Sequence, residues 1–169
     1  MSTDKNISGA QGIEKLKELA TAADMCLFAT SLTDTPIPAR PMSTRHVDDE
    51  GCIWFFSRST SNKNADIKRN NRVQLFYSNQ GSAEFLNIAG KATIIKDAVK
   101  AKELWSPWAR TWFPEGTEDP ELTFIKVTPH SVHYWDTKHN KMVSLLKIVA
   151  GAITGKEMDD GVEGKISIH

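Results

Sequence analysis

Apolar positions recur at helical spacing near the start of the chain, where Ile13, Leu16, Leu19, Ala20 and Ala23 fall on one stripe. The spacing predicts an amphipathic first helix from Ile13 to Ala23, preceded by a mobile tail over residues 1–12. The period then changes. Met25-Cys26-Leu27-Phe28-Ala29-Thr30 is a short apolar run closed by Thr33-Asp34-Thr35-Pro36, and Ile37 to Val47 reads as one extended segment closed by Asp48-Asp49-Glu50-Gly51. Cys52 to Phe56, Val73 to Tyr77 and Glu84 to Ile95 are rich in β-branched and aromatic residues and predict three further strands. Between the first two of these, the hydroxyl-rich loop Ser59-Thr60-Ser61-Asn62-Lys63 opens a short helix over Asn64 to Asn70.

A second helical interruption starts at Asp97, carries Val99, Ala101, Leu104 and Trp105, and meets Pro107. Phe124 to Thr128 and Val132 to Trp135 are predicted as closing strands separated by Thr128-Pro129-His130. Met142 to Ile153 suggests a last helix, or a strand and a helix, and residues 156–169 form a polar C-terminal tail. Six or seven short strands with two or three helices, and no repeat or βαβ alternation, predict a mainly β fold. The expected architecture is a small β-barrel decorated by short helices, one domain over residues 13–155.

Composition narrows the function. With 169 residues, 40% of them apolar and 25% charged, the chain has the usage of an ordinary globular domain. Twenty-one basic residues balance twenty-one acidic ones, so no overall field draws in nucleic acid or an anionic membrane, and neither is expected as a partner. The first residues lack the apolar core of a signal peptide, and Cys26 and Cys52 sit in apolar surroundings without CxxC or Cys/His spacing. The reading is a cytoplasmic protein with buried thiols and no metal scaffold.

Against that neutral background the charge is local. Residues 52–78 carry Arg58, Lys63, Lys68, Arg69 and Arg72 against Asp66 alone. Within this stretch Ser57-Arg58-Ser59-Thr60-Ser61-Asn62-Lys63 runs into a helix N-terminus, whose free N–H groups favour an anion such as phosphate. Two plainer readings stay open: Ser61 as a simple helix cap, and the cations as a solvated face. Arg40 and Arg45 flank Pro41-Met42-Ser43-Thr44, and on a regular strand residues five apart point to opposite faces unless the strand twists or bulges. Five tryptophans are many for this length; Trp54 and Trp105 read as core, and Trp135, at a strand end, as a ring able to stack on a ligand. Residues 111–125 hold Glu115, Glu118, Asp119 and Glu121 without Lys or Arg, an acidic surface or subunit contact. His130, His133 and His139 cluster without a metal signature, and the chain has no GxSxG, GxxxxGK[ST] or GxGxxG. Any redox chemistry would be borrowed from a cofactor.

Taken in order, Arg40-Pro41-Met42, Phe55-Phe56-Ser57 leading to Ser61-Asn62-Lys63, Gly90-Lys91-Ala92, Trp112-Phe113-Pro114-Glu115-Gly116 before Asp119-Pro120, and Tyr134-Trp135-Asp136 resemble the flavin-binding split-barrel superfamily that includes pyridoxamine 5′-phosphate oxidase, in its general stress protein 26 branch. The resemblance implies a split β-barrel that binds FMN, with FAD tolerated, at a homodimer interface. It implies that Arg40, Pro41, Met42, Ser43, Thr44 and Arg45 line the isoalloxazine and ribityl chain, that Phe56 and Ser57 support them, and that Ser61, Asn62 and Lys63 hold the phosphate. Trp135 would lie near the ring, donated by the other subunit. The chain departs from the oxidases at Asn62, where they carry arginine, at Phe85, where they carry glutamine, and after Trp135, where their Arg-x-His substrate segment has no counterpart. Oxidation of pyridoxamine phosphate is therefore not expected. The implied function is a flavin-dependent oxidoreductase of the stress response whose small-molecule redox partner is unassigned, with a non-enzymatic flavin-binding or sensor protein as the alternative. A haem-handling barrel using His133 or His139 is a third option.

Overall fold

Alternation of burial shows why the middle of the chain is sheet: Val73, Leu75 and Tyr77 point inward while Arg72, Phe76 and Ser78 point outward. The computed structural model describes residues 3–4, 6–137 and 161–168. Among them ten strands join one sheet: β1 (Thr3–Asp4), β2 (Ile7–Ser8), β3 (Met25–Ala29), β4 (Ala39–Ser43), β5 (His46–Val47), β6 (Ile53–Arg58), β7 (Arg72–Asn79), β8 (Glu84–Ile95), β9 (Leu122–Thr137) and β10 (Gly161–Ser167). Helices α1 (Gly9–Ala23), α2 (Asn62–Arg69) and α3 (Ala98–Leu104) and two 3₁₀ turns, Pro107–Thr111 and Gly116–Glu118, decorate it. No helix among the described residues is long and apolar enough to cross a membrane.

Strands β4, β3, β7, β8 and β9 follow one another antiparallel. The far edge of β9 is then divided: Leu122 to Val127 pair with β6, and Val132 to Thr137 pair with β10. One strand thus serves two half-sheets, and the sheet stays open as a split barrel instead of returning on itself. Leu16, Leu19 and Ala20 of α1 plug it, over a core in which Phe28, Phe55, Leu75, Ile88 and Ile125 are fully buried. Each such side chain stabilises the fold by roughly 1.5–3 kcal/mol, and Phe28 meets Phe55 edge to face at 5.3 Å. A smaller cluster, Trp54, Phe124, Leu122, Phe113, Ala109 and Ala101, fastens the 107–113 segment to the outside of β6 and β9.

Four differences from the sequence expectation have local causes. The expected mobile tail over 1–12 is folded in its described part: β1 and β2 pair in parallel with β10, and α1 begins at Gly9, not Ile13. Gly12 faces Ile166 so closely that a Cβ there would lie 2.7 Å from its Cγ2. The polar C-terminal tail likewise supplies β10, an in-register partner of β9. The single segment Ile37 to Val47 is two strands, because Thr44 N turns to Asp24 O (2.8 Å) and Arg45 N to Trp54 O (2.8 Å). The two closing strands are one, β9, since a register shift leaves His130 as an extra residue between Pro129 and Ser131. Opposite the bulge sits Gly90, where a Cβ would meet the Thr128 carbonyl oxygen at 2.7 Å. The helix or strand expected over Met142 to Ile153 lies outside the described residues.

Candidate functional site

The break between β4 and β5 creates the site. Arg40 and Arg45 would face opposite ways on a regular strand, but with the chain turned at Thr44–Arg45 both line one cleft of ≈ 340 Å³. Pro41, Met42 and Ser43 line it between them, with Phe56, Ser57 and Arg58 from β6, Ser61 and Lys63 from the start of α2, and Trp108, Trp112 and Phe113 from the aromatic segment.

Its walls are held by two hydrogen-bond networks. In the first, Ser57 Oγ donates to Asn64 Oδ1 (2.6 Å), Asn64 Nδ2 donates to Thr123 Oγ1 (3.1 Å), and Thr123 Oγ1 donates to the Ser57 carbonyl (2.7 Å). Ser61 is the N-cap of α2, accepting from Asn64 N at 3.4 Å, and it also lines the cleft, so capping and lining coexist in one residue. Behind the loop, Thr60 Oγ1 donates to Glu121 at 2.7 Å; Thr60, followed by Ser59, holds that carboxyl below its ordinary pKa. In the second network Arg40 donates to Thr30 Oγ1 (2.7 Å) and the Phe28 carbonyl (3.3 Å), and Thr30 Oγ1 donates to Asp66 (2.7 Å). Asp66 also pairs with Arg69 at 2.6 Å and Arg40 at 3.6 Å; the Thr30 hydroxyl, then Arg69 and Arg40, hold it below the usual carboxylate range.

Apart from Arg40, which Asp66 holds from behind, the cations of the cleft stand outside these networks. Arg40, Arg45, Arg58 and Lys63 line the cleft, and no carboxylate does. Burial lowers the pKa of Lys63, and neighbouring Arg40 lowers it further; no acidic group among the described residues pairs with it. The Arg45 guanidinium lies 5.2 Å from the Phe56 ring centroid and 4.9 Å from that of Trp108, and its Nε is buried without a hydrogen-bond partner. Burial lowers its pKa against the opposing pull of Asp24. The first-turn amides of α2 at Asn62 and Lys63 have no intrahelical acceptor and add donors at this end.

A second cleft, of ≈ 660 Å³, meets the first at Met25 and Pro41. It is lined by Cys26, Leu27, Phe76, Tyr77, Phe85 and Trp135 among others, and Asn87 and Ser78 are its polar members. Burial pushes the Cys26 thiol up to about 12 and the Tyr77 phenol well above its ordinary value, so neither is a base near neutrality.

Three of the residues singled out by sequence therefore lie outside the cationic cleft. Thr44 is tied to the Tyr77 hydroxyl at 2.6 Å, Asn62 is exposed on the first turn of α2, and Trp135 lines the second cleft. His133 stacks on Trp135 with centroids 4.4 Å apart, its Nε2 3.9 Å from Glu163, while His139 lies outside the described residues. Asp48, Glu50 and Cys52 approach one another, but Asp48 accepts from Glu50 N, Cys52 N and Trp54 Nε1 and so builds the hairpin turn. Arg58, read from the sequence as part of the phosphate-favouring segment, does line the cleft, whereas sequence reasoning missed Met25, Trp108 and Trp112 as lining residues and Asn64 and Thr123 as supports. An Asn in the first turn of a helix behind a Ser-rich loop was a readable signal for Asn64; Thr123 carried none.

The sequence model of the family described as pyridoxamine 5′-phosphate oxidase like matches residues 11–159. Protein bli-3 of Neurospora crassa is 23% identical over 163 residues, which span 90% of this chain and 78% of that protein. Among solved structures, a general stress protein 26 candidate from Jannaschia sp. CCS1 superposes with a TM-score of 0.73 at 20% identity, over 94% of this chain and 99% of its own. The general stress FMN/FAD binding protein of Xanthomonas citri superposes with a TM-score of 0.65 at 22% identity, over 76% and 90%.

Proposed function

The chain belongs to the pyridoxamine 5′-phosphate oxidase-like family, its likeness there running to general stress protein 26, and on that premise we propose that it is a flavin-binding protein. The observation that carries this reading is the charge of the cleft: four cations and no carboxylate in the lining, of which Arg40 is tied to Asp66 behind the wall while Lys63 is unpaired and Arg45 Nε is buried without a hydrogen bond. Desolvated cations without partners are costly, and a phosphate dianion satisfies them. Ser61, Lys63 and the first-turn amides of α2 would hold that phosphate, with Arg40 and Arg45 beside it. The residues fit FMN, and FAD carries the same phosphate; the structural relative from Xanthomonas citri is described as binding both.

The flat part of the cofactor requires an apolar neighbour, and the second cleft supplies it across Met25 and Pro41. Leu27 and Phe76 there are 53% and 45% exposed, which an isolated subunit leaves wet at considerable cost. We read this face as the seat of a homodimer contact, with the Trp135 of one subunit approaching the flavin of the other.

Bound flavin supplies hydride and electron transfer. The side chains around the apolar end provide no acid or base: the second cleft has no His, Lys, Arg, Asp or Glu in its lining. The reading is therefore an oxidoreductase whose protein part binds, orients and excludes water, with pyridoxamine phosphate not among its substrates. The same lack of a proton-transfer group favours a second reading, a flavin carrier or sensor acting through a partner. The visible spectrum of the purified protein, followed by heat release and mass identification, tests the first step. A flavin spectrum is expected, and a colourless protein that takes up neither FMN nor FAD overturns it. Anaerobic bleaching of the bound flavin by reduced nicotinamide then separates enzyme from carrier.

A further inference from the structure

Trp108 and Trp112 have no evident structural duty, yet they are 43% and 50% exposed at the mouth of the cationic cleft. Their rings meet edge to face with centroids 5.0 Å apart. Packing does not explain them: the neighbouring Phe113 and Ala109 are the residues that anchor this 3₁₀ segment to the core. Leaving two indoles in water is unfavourable, and a planar heteroaromatic group is what such a pair accepts. The charge beneath them specifies the kind. The Arg45 guanidinium lies over the Trp108 ring, and Arg58 lines the same cleft.

We propose that this mouth is an adenylate subsite: Trp112 stacks the adenine of a dinucleotide, Trp108, perpendicular to it and backed by Arg45, bounds the edge of that base, and Arg45 and Arg58 meet the second phosphate of its pyrophosphate. The proposal rests on the flavin reading above and deepens it, because it makes the aromatic segment the determinant that lets the site hold FAD in addition to FMN. Three features have to coincide for this, and they do here: aromatic faces exposed, cations unneutralised by any carboxylate of the cleft lining, and continuity with the phosphate end at Lys63 and Ser61. Trp112 is the sharper handle, since among the described residues its ring meets only that of Trp108, whereas Trp108 also lies against Arg45.

The test is a titration of the full chain, freed of flavin, with FMN and separately with FAD, for wild type, Trp112→Ala, Trp112→Phe and the Trp108→Ala/Trp112→Ala double variant. Trp112→Ala is expected to weaken FAD by about 10-fold, the scale of one base–aromatic stack, and FMN by a smaller factor, so that the FAD-to-FMN affinity ratio falls. Trp112→Phe, which keeps an aromatic face, should restore most of the FAD affinity. An FAD-to-FMN affinity ratio unchanged across all variants overturns the subsite while leaving the flavin site standing. Equal losses for both flavins also overturn it, making the pair part of the cleft wall. Wild type that binds neither flavin overturns the flavin reading itself, and the subsite falls with it.

Discussion

On one side of Met25 and Pro41 the molecule presents Arg40, Arg45, Arg58 and Lys63 with no acid in the lining; on the other it presents Leu27, Phe76, Phe85 and Trp135 with no charge at all. The cationic half is built by a strand break and a helix start, elements whose backbone donors are unspent. The apolar half is built by regular strands whose backbone is fully paired, so only side chains can speak there. The difference teaches that a cationic cleft suited to an anion and an apolar cleft suited to a flat ring are built on separate pieces of backbone. Each should be removable without the other.

The largest expected effect breaks the apolar half. Leu27→Asp together with Phe76→Asp removes two apolar anchors, each worth roughly 1.5–3 kcal/mol of burial, and light scattering should show a dimer for wild type and a monomer for the variant if this face is the subunit contact. A dimer that survives both charges would place the subunit contact elsewhere. Next, Lys63→Ala should weaken flavin by about 1.5–3 kcal/mol, the range for a hydrogen bond to a charged group, in a fluorescence titration. Wild-type affinity in that variant would reduce the loop to a helix cap. Ser61→Ala is smaller, about 1 kcal/mol of stability for a lost N-cap, read by chemical denaturation, with a lesser loss of affinity.

The gentlest test is pH, and its two halves have opposite signs. Burial, then Arg40, depresses the Lys63 pKa, so the unliganded fold releases that proton more readily than the unfolded chain does. Its stability therefore rises as pH climbs from the depressed value toward the ordinary lysine range. Anion binding runs the other way, since phosphate favours charged Lys63, and flavin affinity should fall over the same window. Lys63→Arg should flatten both slopes, and affinity that stays level with pH in wild type would remove Lys63 from the phosphate contact.

Much of this was legible because the chain writes local chemistry plainly. The strand Glu84–Ile95 and the helix start at Asp97 were readable from the sequence, and Ser61 before a short helix marked the cationic end. What escaped depends on distant partners. Arg40 and Arg45 share a cleft because Thr44 N and Arg45 N find carbonyls on Asp24 and Trp54, contacts with no trace in the spacing of the two arginines. Pro129 resembled a strand end, yet a bulge at His130 carries β9 through it, since Gly90 across the ladder makes room. The residues after Gly161 looked like a polar tail because alternation in GVEGKIS is weak, and their strand exists only by virtue of β9.

The pairing of β10 with β1 and β2 has a consequence for biosynthesis. Thr3 lies beside Val162 and Ile7 beside Ile166, so of these elements the earliest to leave the ribosome must wait for the latest. Throughout translation α1 can plug a nascent sheet, but the strands before it have no neighbour to zip onto until nearly all the rest has emerged. Closing a loop that long costs chain entropy only logarithmically in its length, so the delay is kinetic. Nascent chains stalled before Gly161 should accordingly show a protected β3–β8 body and an unprotected segment ahead of Gly9, a vectorial order imposed by the two parallel pairings with β10.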